Sequence, residues 1–383
     1  MKKLMYMLSL LMMTSLALAA CGGSPTPTAT ATEVPTDIPT EPPTVVPTEA
    51  PTEATTPTST APEGTLAAYS VDTVPTLDGV ADDEAWANAP ELTIPVTGGA
   101  NNFSTDAKLK AVYSGDTVYF LLSYADPTES WLRAPWQKQD DGSWATVKDP
   151  NDKGGDNNIA YEDKFAMIWS IDNSIQGFET SGCFVACHAG ENSDVKPYGN
   201  KYTNSEGELG DIWHWKSVRN DGQVDDQYLD STRFDAQNAK EAGRKSDAND
   251  GGGYVNNATE DGTVPAFTSP AVDTTTGAPG YILDSEKMPL DQAALDSLPA
   301  GSYIPGIVKA PFSGDRGDIS AAWQWADGTW TIEFSRALTT DSETDVQFDD
   351  LNATYHFGLA VFDNAQVRHA FQTGVTPFVF MQR

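Results

Sequence analysis

Basic residues are scarce in this chain, and histidine and cysteine are scarcer still. Against 55 Asp and Glu stand 23 Lys and Arg, a formal net charge of −32 over 383 residues with a pI near 4.2. Nucleic acid is thereby excluded as a partner, because phosphate binding needs a basic surface. An acidic field of this size suits steering towards a basic redox partner, and it suits plain solubility equally well. Long apolar runs are absent beyond Leu4 to Leu18, which is too short for a comfortable membrane span. No serine stands in a nucleophile elbow, so a hydrolytic triad is not supported. An acidic loop opens at Asp149-Pro150-Asn151-Asp152-Lys153-Gly154, but its twelfth position is Ala160, not the bidentate Glu of an EF-hand. Only a looser calcium site stays open.

What is present accounts for all three cysteines. Lys2 and Lys3 precede the apolar stretch, and Leu18-Ala19-Ala20-Cys21 reads as a lipobox. Residues 1–20 are then a lipoprotein signal peptide and Cys21 the lipidated N-terminus; the alternative is a plain signal peptide with a chance cysteine. Residues 21–64 form a Pro/Thr-rich stalk with steps such as Pro35-Thr36 and Pro47-Thr48. About forty residues of extended polyproline-like chain reach on the order of 100 Å at most. The expected location is extracytoplasmic, lipid-anchored to the membrane, with a folded domain over residues 65–383.

Cys183 and Cys187 lie in the stretch Gly182-Cys183-Phe184-Val185-Ala186-Cys187-His188-Ala189-Gly190. Two cysteines followed at once by a histidine are the arrangement that captures haem covalently: thiols add to the vinyl groups, and the adjacent imidazole lies under the iron. The usual spacing has two residues between the cysteines, and here there are three. A small-loop disulfide with His188 at the surface is the bland alternative. Exported chains meet an oxidising compartment, where free thiols are oxidised or used.

Periodicity places strands at both ends of the domain. Val118, Phe120, Leu122 and Tyr124 share one face after a turn at Ser114-Gly115-Asp116, and Phe165, Met167, Trp169 and Ile171 repeat the pattern. Trp323 and Trp325 alternate into Asp327-Gly328, and Trp330, Ile332 and Phe334 alternate out of it, a hairpin signal. Tyr355, Phe357, Leu359 and Val361 alternate again, and Val367 to Phe371 is expected to pair back. A helical turn is expected at Trp86, and a helix over Leu290 to Leu298. Residues 190–306 show little periodicity. The fold class read from this is an antiparallel β-sandwich with a long loop-rich insertion covering a haem.

His188 is the expected proximal ligand. For the sixth position His214 leads, flanked by Trp213 and Trp215 that would keep water away from a porphyrin; His369 and Met167 are alternatives, and His356 is a background candidate. Met167 also reads as plain core. Lys216 offers a charge to a haem propionate.

Three stretches carry a family likeness: Leu77-Asp78-Gly79-Val80-Ala81-Asp82, Asp211-Ile212-Trp213-His214-Trp215-Lys216, and Phe362-Asp363-Asn364-Ala365-Gln366-Val367-Arg368-His369. Together they resemble the ethylbenzene-dehydrogenase-type haem-binding domain, and the Gly182 to Gly190 stretch resembles its c-type members. The resemblance implies a β-sandwich carrying one haem and passing single electrons, related to haem subunits of dimethyl-sulfoxide-reductase-type molybdoenzymes. Those subunits hold haem non-covalently through methionine and lysine, and the Cys/His stretch departs from that pattern. The expectation is one covalently attached haem c, no bond chemistry of the chain's own, and redox partners such as a molybdoenzyme or another cytochrome. The opposing class is a carbohydrate-binding surface lipoprotein stacking sugars on Trp323, Trp325 or Trp330. It leaves Cys183, Cys187 and His188 without a use.

Overall fold

Apolar side chains at every second position turn one face of a strand inward, and thirteen strands, most of them built this way, join in one sheet. The computed structural model describes residues 61–151, 156–187 and 201–382. The signal peptide, Cys21, nearly all of the stalk and His188 lie outside the described residues. The strands are β1 Leu66–Ser70, β2 Leu92–Thr97, β3 Thr105–Ser114, β4 Thr117–Ala125, β5 Lys164–Ser170, β6 Gly210–Lys216 and β7 Asp225–Leu229. They continue with β8 Arg244–Ser246, β9 Ser320–Ala326, β10 Thr329–Ala337, β11 Thr354–Phe362, β12 Ala370–Gln372 and β13 Thr376–Met381.

Their spatial order is β8-β7-β6-β5-β11-β12-β2-β3-β4-β10-β9, with β13 joining β11 to β1 and β1 joining β3. Pairing is antiparallel except at β1, which runs parallel to both neighbours. Strand β11 forks: Thr354 to Phe357 pair with β13, while Ala360 and Val361 pair with β12. The fork lets the sheet fold over on itself. Phe120 of β4 then meets Trp213 of β6 at 5.6 Å between ring centroids, and Trp330 of β10 meets Trp215 at 5.0 Å. The free edge of β9 closes on the turn before β7, where Ala321 N–H donates to the Gly222 carbonyl (2.9 Å) and Val224 N–H to that of Ile319 (2.9 Å). This is the expected antiparallel β-sandwich.

Local expectations mostly hold. Asp327 and Gly328 have φ of 50° and 76° between the paired Ala326 and Thr329, the two-residue turn that suits the twist of a hairpin. The helical turn at Trp86 is Glu84–Ala87, and the later helix is Gln292–Ser297, capped by Asp291 accepting from Ala294 N–H at 2.8 Å. Residues 190–306 differ from the expected loop-rich cover. They contribute β6, β7 and β8 to the sheet itself, and Gly251–Asn256 pairs with Ile307–Ser313 in a smaller one. Every residue of β6 is buried. A strand covered on both faces shows no polar alternation, which is why its sequence hides it.

Candidate functional site

The inner face of β6 carries Asp211, Trp213 and Trp215; the outer face carries Ile212, His214 and Lys216. Register extends that outer face sideways, His214 lying opposite Ala166 of β5, and Ala166 opposite Ala360 of β11. Gly358 and Ala360 of β11 and Ala166 of β5 make a floor of small residues beside the histidine. Over this floor folds the cysteine stretch. Phe178–Ser181 is a short helical turn and Gly182–Val185 a 3-10 turn.

Two glycines fix where it lands. Gly182 has φ of 54°, and a Cβ there would stand 2.5 Å from the Gly374 carbonyl oxygen in the turn after β12. At Gly358 an added Cβ would stand 2.4 Å from Cys183 Sγ, so the sulfur lies directly against the β11 backbone. Cys183 and Cys187 are both free thiols. Cys183 and Cys187 pack on an apolar cluster with Ile168, Phe178, Ala186, Ile212 and Leu229. Burial pushes the Cys183 thiol up to about 12 and raises Cys187 as well. Neutral sulfurs on an apolar bed match thioethers.

His214 is buried at 8% exposure, and its Nε2 has no partner. Its Nδ1 faces Gln227 Oε1 at 3.4 Å, while Gln227 Nε2 donates to Asp225 Oδ2 at 3.2 Å. The amide is thereby turned so that its oxygen accepts. This assigns the proton to Nδ1 and leaves the Nε2 lone pair without a donor among the described residues, the form in which histidine binds a metal. Burial, then the nearby charges of Lys216, Lys164, Arg244 and Arg219, holds the ring well below its usual range and therefore neutral. An orphaned, neutral, buried imidazole nitrogen is costly unless something takes it.

Beside it opens a cavity of about 400 Å³ lined by Lys164, Lys216, Arg219, Arg244 and Lys245, with Glu241 the carboxylate among its walls. Tyr161 and Tyr254 support the cations. Lys164 Nζ lies 4.7 Å from the Tyr161 ring and 4.0 Å from the Phe362 ring, and Arg219 lies 5.0 Å over Tyr254. Lys216 is paired with Asp225, and Arg219 with Glu162. Arg244 pairs likewise with Glu241 and Lys245 with Asp230, so four of the five cations already have a carboxylate partner. Cys183 over Gly358 and His214 are separated by two residues along a strand and two strands across, roughly 12 Å at ordinary strand spacing. A haem would span that gap, with Cys183 and Cys187 placed to take its vinyl groups and Lys164 and Arg219 placed to meet its carboxylates. The residues present fit haem.

Of the remaining sequence candidates, His188 lies outside the described residues. Met167 lies opposite Trp213 on the inner face, 0% exposed within the main core, so it does not share a face with His214. It is core, and its place as an alternative sixth ligand is withdrawn. His369 is half-buried with its ring 5.0 Å from Phe362, whose other neighbour is His214 at 6.0 Å. His356 sits two residues before Gly358 on the same outer face, and its Nδ1 has no partner. Trp330 is 2% exposed, while Trp323 and Trp325 are half-buried and pack against the core. Sequence reasoning missed Gln227, Asp225, Lys164, Arg219, Arg244 and Lys245. Strand register gathers them from positions spread between Lys164 and Lys245, and no spacing rule signals them.

No curated protein matches this chain. Among solved structures, a family 9 carbohydrate-binding module from Caldicellulosiruptor kristjanssonii in complex with glucose is similar at 10% identity and a TM-score of 0.31. That match covers 83% of this chain and 96% of the other. The module from the same organism in complex with cellotriose gives 10% identity and a TM-score of 0.32, over 83% and 94% of the two chains. The sequence model of the ethylbenzene dehydrogenase family spans residues 83–374, taking in the cysteine stretch, β6 with His214 and the turn from Asp363 to His369. Matched over that length, the chain belongs to the ethylbenzene dehydrogenase family.

Proposed function

We propose that this chain is a membrane-anchored, extracytoplasmic c-type cytochrome that transfers single electrons and makes or breaks no substrate bonds. The observation that supports the reading is the buried Nε2 of His214, without a partner among the described residues, on the strand face that also bears both free thiols. Cys183 and Cys187 would hold one haem c through thioethers, with His188 as proximal ligand and His214 in the sixth position. Haem supplies a one-electron couple when bound. Gln227 orients the imidazole and fixes its tautomer, and Asp225 holds Gln227 in turn. Lys164, Lys216, Arg219 and Arg244 balance propionate charge, while the sandwich beneath excludes water from the imidazole. Partners in this reading are other redox proteins, such as a molybdoenzyme or a second cytochrome, and the lipid on Cys21 keeps the domain at the membrane.

The test is expression of the full chain with export in a strain competent for c-type maturation. One haem should survive denaturing electrophoresis and add its mass to the polypeptide, and the product should extract into detergent. Cys183→Ala should keep haem on one thioether; Cys183→Ala with Cys187→Ala should keep none covalently. Haem still covalent in the double variant, or absent from the exported wild type, sinks the reading.

A further inference from the structure

On the opposite face of β6, away from His214, carboxylates crowd together. Asp211 of β6, Asp226 of β7 and Asp345 each bring an oxygen within 4.8 Å of the other two. Asp247 and Asp318 flank them, close enough to act on Asp226. The cation facing the group is Arg336, whose Nη1 lies 3.0 Å from Asp211 Oδ2 and 3.8 Å from Asp345 Oδ2. Were all five ionised, one guanidinium would leave a large negative excess where four of the five acids are at most 5% exposed, and burial with mutual repulsion raises the pKa of each. Burying charge of one sign without compensation is among the costliest arrangements a fold can adopt.

The hydrogen bonds add a second, independent observation. Asp211 Oδ2 accepts from Trp213 Nε1 at 2.9 Å and Val346 N–H at 2.9 Å, and its Oδ1 has no partner. Asp226 Oδ1 accepts from Gln227 N–H at 3.0 Å; its Oδ2 has no other donor among the described residues, and its carboxyl lies within hydrogen-bonding distance of Asp318. Asp345 Oδ2 accepts from Thr340 Oγ1 at 2.7 Å and Asp247 Oδ1 from Thr344 Oγ1 at 2.6 Å, and again each second oxygen is bare. Asp318 leaves Oδ1 bare as well. Each of the first four acids is anchored at one oxygen and offers the other. Fixed ligands with free oxygens are how a protein prepares a cation cage.

We infer that Asp211, Asp226 and Asp345, flanked by Asp247 and Asp318, bind one divalent cation of calcium type. The donors are all carboxylate oxygens, which selects a hard ion over zinc or copper. Calcium takes six to eight oxygens at about 2.3–2.6 Å, so opposed ligands stand about 4.6–5.2 Å apart across it. Magnesium prefers to keep several waters and is served poorly by so many protein oxygens. Asp318 is only half-buried and marks the side from which the ion enters. Once bound, the ion ties β6, β7 and the segments bearing Asp247, Asp318 and Asp345 together behind the strand that carries His214. The cage needs no haem to form.

The experiment uses the full-length protein as purified. Elemental analysis after gel filtration should find calcium, which a chelator removes. Calcium returned at a hundredfold excess over its Kd should raise the Tm of the chelator-treated protein by roughly 5 °C, and magnesium at the same concentration far less. Asp226→Asn and Asp345→Asn should each abolish the calcium response, while Asp126→Asn, in a separate carboxylate cluster, should keep it. If the cage holds no ion, Asp226→Asn relieves repulsion and raises the Tm in chelator, with no calcium effect in the wild type. Either that result, or a calcium response that survives both cage variants, overturns the inference.

Discussion

An imidazole whose Nδ1–H is already committed has a single choice left, and at His214 that choice is a buried Nε2 in the wall of the cation cavity. Replacing it removes a strong-field nitrogen donor without touching Cys183, Cys187 or the cations of the cavity. His214→Ala should therefore keep covalent haem, shift the ferric absorbance spectrum from low spin towards high spin, and admit carbon monoxide to the ferrous form. His369→Ala should leave the spin state as it is. A high-spin His369 variant beside a low-spin His214 variant would move the sixth ligand to the turn before β12. The sequence singled out His214 by its tryptophan neighbours, although both tryptophans prove to face the opposite side of β6. The partner that sets the tautomer, Gln227, was hidden because it arrives through strand register alone.

At the scale of elements, β11 carries the tightest packing in the candidate site. Its Gly358 lets Cys183 Sγ rest on the strand, and a methyl group there would overlap the sulfur. Overpacking of this kind costs about 1–3 kcal/mol. Gly358→Ala should lower the urea midpoint and reduce the fraction of chains with two thioethers, since the first thiol is pushed off its bed. Unchanged attachment and midpoint together would show that the cysteine stretch does not rest on β11. The elements themselves were legible in proportion to how one-sided their burial is. Strands β4, β5, β10 and β11 each bury one face in the main core and expose or half-expose parts of the other, so alternation is written in the residues. Strands β6 to β8 lie beneath further chain or are too short to show a period. Turn chemistry was legible where backbone conformation demands it, as at Asp327-Gly328. The cation cavity was not, because its charges come from segments far apart in the chain.

For the molecule as a whole, acidity is a liability that the fold manages unevenly, and pH reports it. Besides the cage behind β6, Asp126, Asp163 and Asp363 bring carboxylate oxygens within 4.8 Å of one another. Burial, with further repulsion from Asp363, pushes Asp126 up to about 7 against the hydrogen bonds from Thr128. The unfolded chain releases the same proton near pH ~3.9. Between those values the folded state holds a proton that the unfolded state has lost. The stability this confers is fully present below the unfolded pKa and is lost as pH rises through about 7. The slope for one such proton is about 1.4 kcal/mol per pH unit. Asp126→Asn cannot titrate, so its advantage over the wild type should be larger at pH 8 than at pH 5. Urea unfolding of both proteins at the two pH values, in chelator so that no cation intervenes, measures the difference directly. An advantage that is equal at both would mean that Asp126 is ionised in the folded protein throughout, with hydrogen-bond donors such as those of Thr128 offsetting the crowding.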